Sequence, residues 1–468
     1  MKLENIILTN EPGDARWDLE VLDGVLQAIE ATKADRDAPS SLLLPPLCHP
    51  HIHLDKPYVL TCNHAPSAHH PDYTDLAPQS GSFSEALANT SKAKERYTAE
   101  DLYLRGSQLL ATSYQQGVTS MRAFVELDHV TGTLPLQTAI RLKQDFSHLV
   151  QVQICAFAQD PVFSTVHGEE NRLTIEKALR DYGSDIDALG STPYVETSEK
   201  DSIKNIDWAI RTALEHKIHL DFHLDYNLDS SAAFLVETVI RLLEEHQWTR
   251  YADESKTVVI GHCSHLSTLP AQKILDISES ITQKNLPLHF VGLPTSDLFM
   301  MGRPTEKQTA PHDRPRGTLQ VPSMIKDFGL SACLGVNNVG NAFTPYGTGD
   351  PLQLACWGVG IYQAGTADDA ELLFSCVSSR AREAIGLSNA GYKERLEKGT
   401  RWKPMLLIEN IKAISVPSRP GVSQPPNTSK AESQHTGRCV GSSREQSQVC
   451  SSLIGLPGTE ERCVFMCI

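Results

Sequence analysis

The chain has 468 residues, of which 40% are hydrophobic and 21% charged, a balance typical of a folded protein rather than a disordered one. Its 57 acidic residues outnumber its 42 lysines and arginines, and the resulting net charge of −15 argues against a nucleic-acid or anionic-membrane partner. The sequence shows no apolar run of membrane-spanning length and no signal peptide at its start. We therefore expect a soluble, cytoplasmic protein.

The N-terminal segment has the pattern of β-strands. Residues Leu3–Thr9 predict one strand, and Trp17–Ile29 predict two more on either side of Asp23-Gly24, a dipeptide typical of tight hairpin turns. A further apolar strand is predicted late in the chain, at Met405–Asn410. We expect residues 1–40 and 391–416 to form a small composite β domain.

Residues 41–390 alternate apolar runs with amphipathic stretches, the pattern of repeated β/α units. Eight such units over about 300 residues predict an α/β fold, a TIM (β/α)8 barrel. An open doubly wound sheet is the competing architecture, but no Gly-rich phosphate loop follows any of the strands. The predicted strands are Leu42–His53, Val118–Leu127, Leu149–Gln159, Ile186–Val195, Ile218–Tyr226, Thr257–Ser264, Leu286–Thr295 and Leu330–Asn338. The predicted helices include Ala99–Gln116, Leu134–His148, Ser202–Lys217, Ala232–Gln247, Pro270–Asn285, Asp350–Gly365 and Ala370–Leu387.

The composition changes near residue 417, where Pro and Ser become frequent and neither helical nor strand periodicity remains. Residues 417–468 are therefore predicted to be a disordered tail, although a splicing or frame error in the gene would leave the same pattern. Four of the 11 cysteines lie in this tail at spacings that match no metal site. The other seven are interpreted as buried reduced thiols.

The strongest local signal is the run Pro50-His51-Ile52-His53-Leu54-Asp55, at the end of the first barrel strand. Side chains two residues apart on a strand project from the same face, and the C-terminal ends of barrel strands surround the active site. Neutral imidazoles are ready metal ligands at such a position. Alone, a His-X-His pair would also fit a turn or a surface.

Two more histidines end later strands in phase with the barrel repeat. His223 ends the fifth predicted strand and His262 ends the sixth. Roughly four β/α units of about 42 residues separate His53 from His223, and about one more unit leads to His262. A further two units lead to Asn337, at the tip of the eighth strand. This spacing favours a metal site at the mouth of the barrel.

These motifs resemble the amidohydrolase superfamily and, within it, the cytosine deaminase-like branch. The resemblance covers about residues 40–390 and rests on the Pro-His-Ile-His-Leu-Asp run, on Ala156–Gln159 and on Gly261-His262. It implies a metal-dependent hydrolase that cleaves a non-peptide C–N bond in a cyclic or linear amide or amidine. It also implies a small nitrogenous substrate and leaves a homo-oligomer open.

The resemblance assigns roles to individual residues. One divalent metal ion, zinc or iron, would lower the pKa of a bound water, and His262 would orient and deprotonate that water. Gln159 would hydrogen-bond the ring amide of the substrate. The fourth strand has no lysine, which favours a mononuclear site over a binuclear one. The metal ligands implied are His51, His53, His223 and, at the fourth position, Asn337.

Two positions depart from the family pattern. Tyr226 replaces a proton-shuttling Glu, and a phenol with a pKa near 10 is a poor base at pH 7. Asn337 replaces an Asp, and a neutral amide is the weaker ligand. The site could be catalytic with Asp225, Asp229 or His262 transferring protons, and His262, Asp225 and Tyr226 are kept as catalytic candidates. Alternatively, it could bind metal with little turnover, or the barrel could be a binding pocket that has lost its metal.

Overall fold

A computed structural model of the chain describes residues 1–9, 11, 15–34, 38–62, 65–303, 315–389, 392, 396–409 and 462–465. Two compact units are present. The larger consists of residues 47–365 and 372–389, and the smaller draws on the described parts of 1–46, 366–371 and 390–468. Strands and helices are numbered along the chain.

The smaller unit contains a six-stranded, mostly antiparallel sheet, whose strands are β1 (Lys2–Leu8), β2 (Arg16–Leu22), β3 (Val25–Ala31), β4 (Ser41–Leu44), β13 (Met405–Ile408) and β14 (Arg462–Phe465). Their order across the sheet is β14-β13-β4-β1-β2-β3. The predicted hairpin is present, with φ of 48° at Asp23 and 70° at Gly24, as a two-residue turn between twisted strands requires. Alternate residues such as Leu3, Leu19 and Leu26 are buried in the core of this unit.

Strand β14 lies within the segment predicted to be a disordered tail and pairs antiparallel with β13. No strand periodicity in the sequence predicts it. The rest of the predicted tail, residues 417–461 and 466–468, lies outside the described residues.

The larger unit is an α/β barrel, which confirms the predicted fold class. Each strand pairs in parallel with the next along the chain. The circle is completed by a bridge between Ile52 and Asn337. The barrel strands are β5 (Leu47–His53), β6 (Val118–Glu126), β7 (Gln151–Ala158), β8 (Ile186–Ser191), β9 (His219–Leu224), β10 (Val258–His262), β11 (Leu288–Gly292) and β12 (Ala332–Leu334).

The predicted barrel strands are all longer than the observed ones, and two of them differ most. The run Leu42–His53 is two strands, β4 and β5, because Pro45 and Pro46 cannot donate to a sheet and separate them. The predicted strand Leu330–Asn338 is reduced to the three residues of β12, and its tip turns into a left-handed conformation at Asn337 (φ 67°). That turn changes the direction of the chain just where the site begins.

All of the predicted helices have counterparts, although residues 370–387 contain the end of one helix and a second one. Five helices are additional to the predicted set: α1 (Phe83–Lys94), α4 (Gly168–Tyr182), α7 (Trp248–Tyr251), α9 (Pro294–Met300) and α10 (Val321–Lys326). Among the described residues, no helix is both long enough and apolar enough to cross a membrane. The helices are α1 (Phe83–Lys94), α2 (Ala99–Gln115), α3 (Leu134–Asp145), α4 (Gly168–Tyr182), α5 (Glu199–His216), α6 (Val236–Glu245), α7 (Trp248–Tyr251), α8 (Ala271–Gln283), α9 (Pro294–Met300), α10 (Val321–Lys326), α11 (Pro351–Ile361), α12 (Ala367–Cys376) and α13 (Ser379–Ala384). Short 3-10 turns occur at Thr74–Leu76, Pro193–Val195 and Ser264–Thr268.

Candidate active site

Three histidines converge at the C-terminal mouth of the barrel. His51 and His53 end β5, and His223 lies on β9. One ring nitrogen from each lies within 4.8 Å of the others, and the Nε2 atoms of His51 and His223 are 3.0 Å apart. The structure thus brings together the three residues that the sequence predicted as metal ligands.

An irregularity in strand pairing determines which histidines point inward. His49, His51 and His53 are spaced two apart, so a regular strand would put all three on one face. The pairing of β5 with β6 shifts register between His49 and Ile52. As a result, Nε2 of His49 lies 3.3 Å from the hydroxyl of Ser113 on α2, outside the barrel. His51 and His53 face the barrel interior.

The three imidazoles pack against two buried aromatic rings, those of Phe124 and Phe157, which form an aromatic floor beneath them. Phe124 of β6 is 4.0 Å from His51, and Phe157 of β7 is 4.4 Å from His223, between ring centroids. Gly261 leaves room for the ring of His51, because a Cβ there would lie 2.9 Å from its Cε1 atom. Burial, with nearby positive charges as a smaller cause, holds the pKa of all three histidines well below its usual value. They are therefore neutral at pH 7, the form that binds metal.

The donor set fits a single divalent ion. The Nδ1 atoms of His51, His53 and His223 are buried without a hydrogen-bond partner. Two nitrogens about 2.0–2.1 Å from zinc at a tetrahedral angle would be about 3.4 Å apart, close to the separation seen here between His51 and His223. Asn337 adds an oxygen, since its Oδ1 is buried and unpartnered while its Nδ2 donates to Ser296 at 3.0 Å. Buried polar atoms without partners are rare and call for a ligand or a water.

His262 ends β10 beside the three histidines, with its ring centroid 5.2 Å from that of His223. Its Nδ1 lies 2.9 Å from Oδ1 of Asp297, the fourth residue of α9. The hydroxyl of Thr318 donates to the other oxygen of Asp297 at 2.6 Å. His262 adopts a left-handed backbone conformation (φ 66°), which is costly for a residue with a side chain and is common at functional sites.

A small pocket with a cavity volume of about 20 Å³ adjoins these residues. Its walls are largely aromatic, and the ring of Tyr226 lies against that of His262 with centroids 4.0 Å apart. Burial, followed by the charge of Asp297, holds the pKa of Tyr226 well above 10. The hydroxyl of Tyr226 donates to the backbone oxygen of Ser296 at 3.4 Å. The lining residues are His53, Lys56, Phe83, Gln159, Tyr194, His223, Tyr226, His262, Ser296, Asn337, Asn338 and Phe343.

A network of buried charges adjoins the pocket. Lys56 pairs with Glu126 at the end of β6, and Lys94 of α1 contacts Glu126 and Asp128 at 2.7 Å and Asp160 at 3.2 Å. Burial alone would lower the pKa of Lys94, but the three carboxylates reverse this and hold it well above its usual value. The network fixes the C-terminal end of α1, while the N-terminal residue of the same helix, Phe83, lines the pocket.

Asp225, predicted as a catalytic candidate, is placed differently. Its carboxylate accepts hydrogen bonds from the backbone nitrogens of Leu235 and Val236 at the start of α6, at 3.1 and 3.2 Å. It is not among the residues that line the pocket. Burial raises the pKa of Asp225 to about 7. Asp229, named as an alternative base, bonds to Ser231 in an exposed turn. Both carboxylates thus serve local backbone structure.

Sequence reasoning assigned no supporting role to the carboxylates and the lysine beside the site. Glu126 is the last residue of β6, and Asp297 follows β11 by five residues; both are buried. Charged residues at the end of an apolar strand were the available signal. Lys94 carried no such signal, since it lies on a helix that was not predicted.

Comparison with known proteins adds sequence and structural relatives. No family model matches the chain. It is 22% identical over 379 residues to N-isopropylammelide isopropyl amidohydrolase of Pseudomonas sp. (strain ADP), covering 80% of this chain and 83% of that protein. The structure superposes on 5-methylcytosine deaminase from Klebsiella pneumoniae with a TM-score of 0.70, 20% identity, and coverage of 87% of this chain and 91% of the other.

A second solved structure, N-isopropylammelide isopropylaminohydrolase from Burkholderia multivorans ATCC 17616, gives a TM-score of 0.62 at 18% identity, with 88% of this chain and 92% of the other covered. The chain shares its barrel fold with these two solved structures. The resemblance to amidohydrolase-superfamily deaminases that the motifs indicated is confirmed in sequence and in fold. What the replacements at Tyr226 and Asn337 do within this barrel remains a prediction.

Proposed function

We propose that the protein is a metal-dependent hydrolase of the deaminase or amidohydrolase type, which cleaves a non-peptide C–N bond in a small cyclic amide or amidine. The observation that carries the proposal is the convergence of three neutral, buried histidines, with one ring nitrogen of each within 4.8 Å of the others, beside a small pocket. A pocket that bound an organic ligand alone would have no need of three such imidazoles. The alternative, a barrel that binds metal or a small ligand without efficient turnover, is not favoured because the relatives are named as deaminases and amidohydrolases.

We propose His51, His53 and His223 as ligands of one divalent ion, with Oδ1 of Asn337 as the fourth. Zinc and ferrous iron both suit nitrogen and oxygen ligands. The ion, when bound, would lower the pKa of a coordinated water so that hydroxide is available near pH 7. The aromatic floor excludes water from beneath the ligands, which strengthens every electrostatic interaction at the site.

The remaining pocket residues would hold and orient the substrate. The side-chain amide of Gln159 can both donate and accept, which suits the N–H and C=O of a ring amide. The aromatic rings of Phe83, Tyr194 and Phe343 suit a flat heterocycle. Lys56 adds a positive charge at the pocket wall, which favours a substrate oxygen that carries partial negative charge.

Proton transfer is assigned to His262. Its ring lies close to that of His223 and lines the pocket, whereas Asp225 is engaged with backbone amides and Tyr226 has a raised pKa. A cytoplasmic location, small-molecule partners and the absence of a nucleic-acid partner remain predictions from the sequence. An oligomeric state is left open.

The test is metal analysis together with a substrate screen. Full-length protein expressed with supplemental zinc or iron should contain close to one metal ion per chain. His51→Ala should lose that ion, whereas His49→Asn, which alters a buried histidine of the same strand that faces α2, should keep it. The metal-loaded protein should release ammonia or an alkylamine from at least one member of a panel of heterocyclic amides and aminated rings. Metal-free wild-type protein, or equal metal content in both variants, would contradict the proposal.

A further inference from the structure

The pairing of His262 with Asp297 goes beyond the residues that the family resemblance supplied. Asp297 lies on α9, directly after the seventh barrel strand, and none of its surface is exposed. Its Oδ1 is 2.9 Å from Nδ1 of His262, and its Oδ2 accepts the hydroxyl of Thr318 at 2.6 Å. Both carboxylate oxygens thus lie within hydrogen-bond distance of a polar partner.

This geometry selects one tautomer of His262. An ionised carboxylate can only accept hydrogen bonds, so the Nδ1 of His262 must be the protonated nitrogen. The lone pair is then on Nε2. Because His262 lines the pocket while Asp297 does not, the basic nitrogen is the one available to the pocket. The same hydrogen bond would stabilise the imidazolium after Nε2 has taken up a proton.

The two replacements in the site make this pairing more important. An amide at position 337 cannot accept a proton, and the phenol of Tyr226 has a pKa far above 7. The carboxylate of Asp225 is occupied by backbone amides of α6. Among the described residues that line the pocket, His262 is therefore the residue assigned as the base, and its ring is held by the buried carboxylate of Asp297.

We propose that Asp297 is the positioning residue of His262: it holds the ring with Nδ1–H toward the carboxylate and Nε2 toward the pocket, and Thr318 holds Asp297 in place. In the reaction, which rests on the proposed function, Nε2 forms a bond to a proton as a water O–H bond breaks, and the hydroxide oxygen bonds to the sp² carbon of the substrate. The C–N bond then breaks, its electron pair stays on the leaving nitrogen, and that nitrogen takes the proton from Nε2. Asp297 touches no reacting atom.

Proton NMR of the full-length protein tests the pairing without any substrate. An imidazole N–H that donates to a buried carboxylate gives a downfield resonance protected from exchange with water. One such resonance should be absent in His262→Gln. In the isosteric Asp297→Asn it should move upfield or vanish, because a neutral amide is a weaker acceptor. Thr318→Val should retain it with faster exchange.

Asp207→Asn is the matched control. Asp207 bonds Nε2 of His246 at 2.7 Å on the outer helices, so its removal breaks a His–Asp pair of similar length far from the pocket. The His262 resonance should be unchanged in that variant. An unaltered resonance in Asp297→Asn, or no lost resonance in His262→Gln, would overturn the proposal. Circular dichroism and thermal melting establish that each variant is folded.

Kinetics give a second readout on any substrate found in the screen. Asp297→Asn should lower kcat at least tenfold while KM changes less than about threefold, since the positioning of the base matters to chemistry and not to substrate binding. A change in the KM of Asp297→Asn with an unchanged kcat would overturn the proposal and indicate a role in shaping the pocket instead. Failure of the proposed function appears separately, as an absence of metal or of amine release.

Discussion

The backbone nitrogen of Asn337 donates to the carbonyl oxygen of His51 across 3.0 Å, and the nitrogen of His53 donates back to the carbonyl oxygen of Asn337 at the same distance. These two hydrogen bonds join the chain beyond β12 to β5 and close the barrel. They also bring the side chain of Asn337 into the pocket that His53 lines. Closure of the barrel and assembly of the site are therefore one structural event.

Asn337→Asp should tighten zinc binding by about tenfold or more, equivalent to roughly 1.4 kcal/mol. A carboxylate oxygen would replace the unpartnered Oδ1 and add a negative charge beside three neutral imidazoles, and the hydroxyl of Ser296 can turn to donate to it. Competition with a zinc-sensitive chelator measures the change. Unchanged affinity would show that this side chain does not bind the ion.

Asn338→Asp is the control for added charge alone. Asn338 also lines the pocket, but its Oδ1 already accepts a hydrogen bond from Asn341 at 2.7 Å. A carboxylate there attracts the ion through space without offering a free ligand atom. Its effect on affinity should be clearly smaller than that of Asn337→Asp, and equal effects would argue for simple charge attraction at both positions.

Much of this architecture could be read from the sequence because strands and ligands repeat with the barrel period. His51, His223 and His262 fall at strand ends, so their convergence follows from topology alone. The inward direction of His51 and the outward direction of His49 do not, since they depend on a register shift in β5. Nor could pattern reasoning find the pairing of His262 with Asp297. His262 itself has a left-handed backbone, and Asp297 lies on helix α9, which was not predicted.

Tyr226→Phe should keep kcat within about threefold of the wild type, whereas Tyr226→Ala should lower it tenfold or more. The hydroxyl makes only a long hydrogen bond to Ser296, at 3.4 Å, while the ring lies 4.0 Å from that of His262 and helps hold it. Rates of ammonia or amine release from the substrate found in the screen measure both variants. A large loss in Tyr226→Phe would instead assign the hydroxyl a part in the chemistry, as the sequence prediction allowed.

Lys94→Met should destabilise the protein by about 3–5 kcal/mol, because it leaves buried carboxylates without their cation. Lys94 is 5% exposed and contacts Glu126, Asp128 and Asp160. Urea unfolding followed by circular dichroism gives the free energy. Lys177→Met serves as the comparison, since Lys177 pairs with Asp181 on the exposed face of α4 and should cost less than about 1 kcal/mol. Similar costs in the two variants would mean that the buried network adds nothing to stability.

His219 should make the stability of the barrel depend on pH. Its Nδ1 accepts the backbone N–H of Thr257 at 3.0 Å, and burial, with Arg122 nearby, lowers its pKa to about 2. In the unfolded chain the ring takes up a proton below pH 6.5, so this stabilisation is complete above that pH and is lost as the pH falls toward 2.

Between pH 7 and pH 5 the loss due to this one group should be about 2 kcal/mol. In His219→Asn the amide oxygen can replace Nδ1 as the acceptor for Thr257 but cannot be protonated, so the free energy of unfolding should fall less over the same range. Urea titrations of both proteins at the two pH values provide the comparison. Equal falls in the wild type and the variant would show that His219 is not held neutral by the fold.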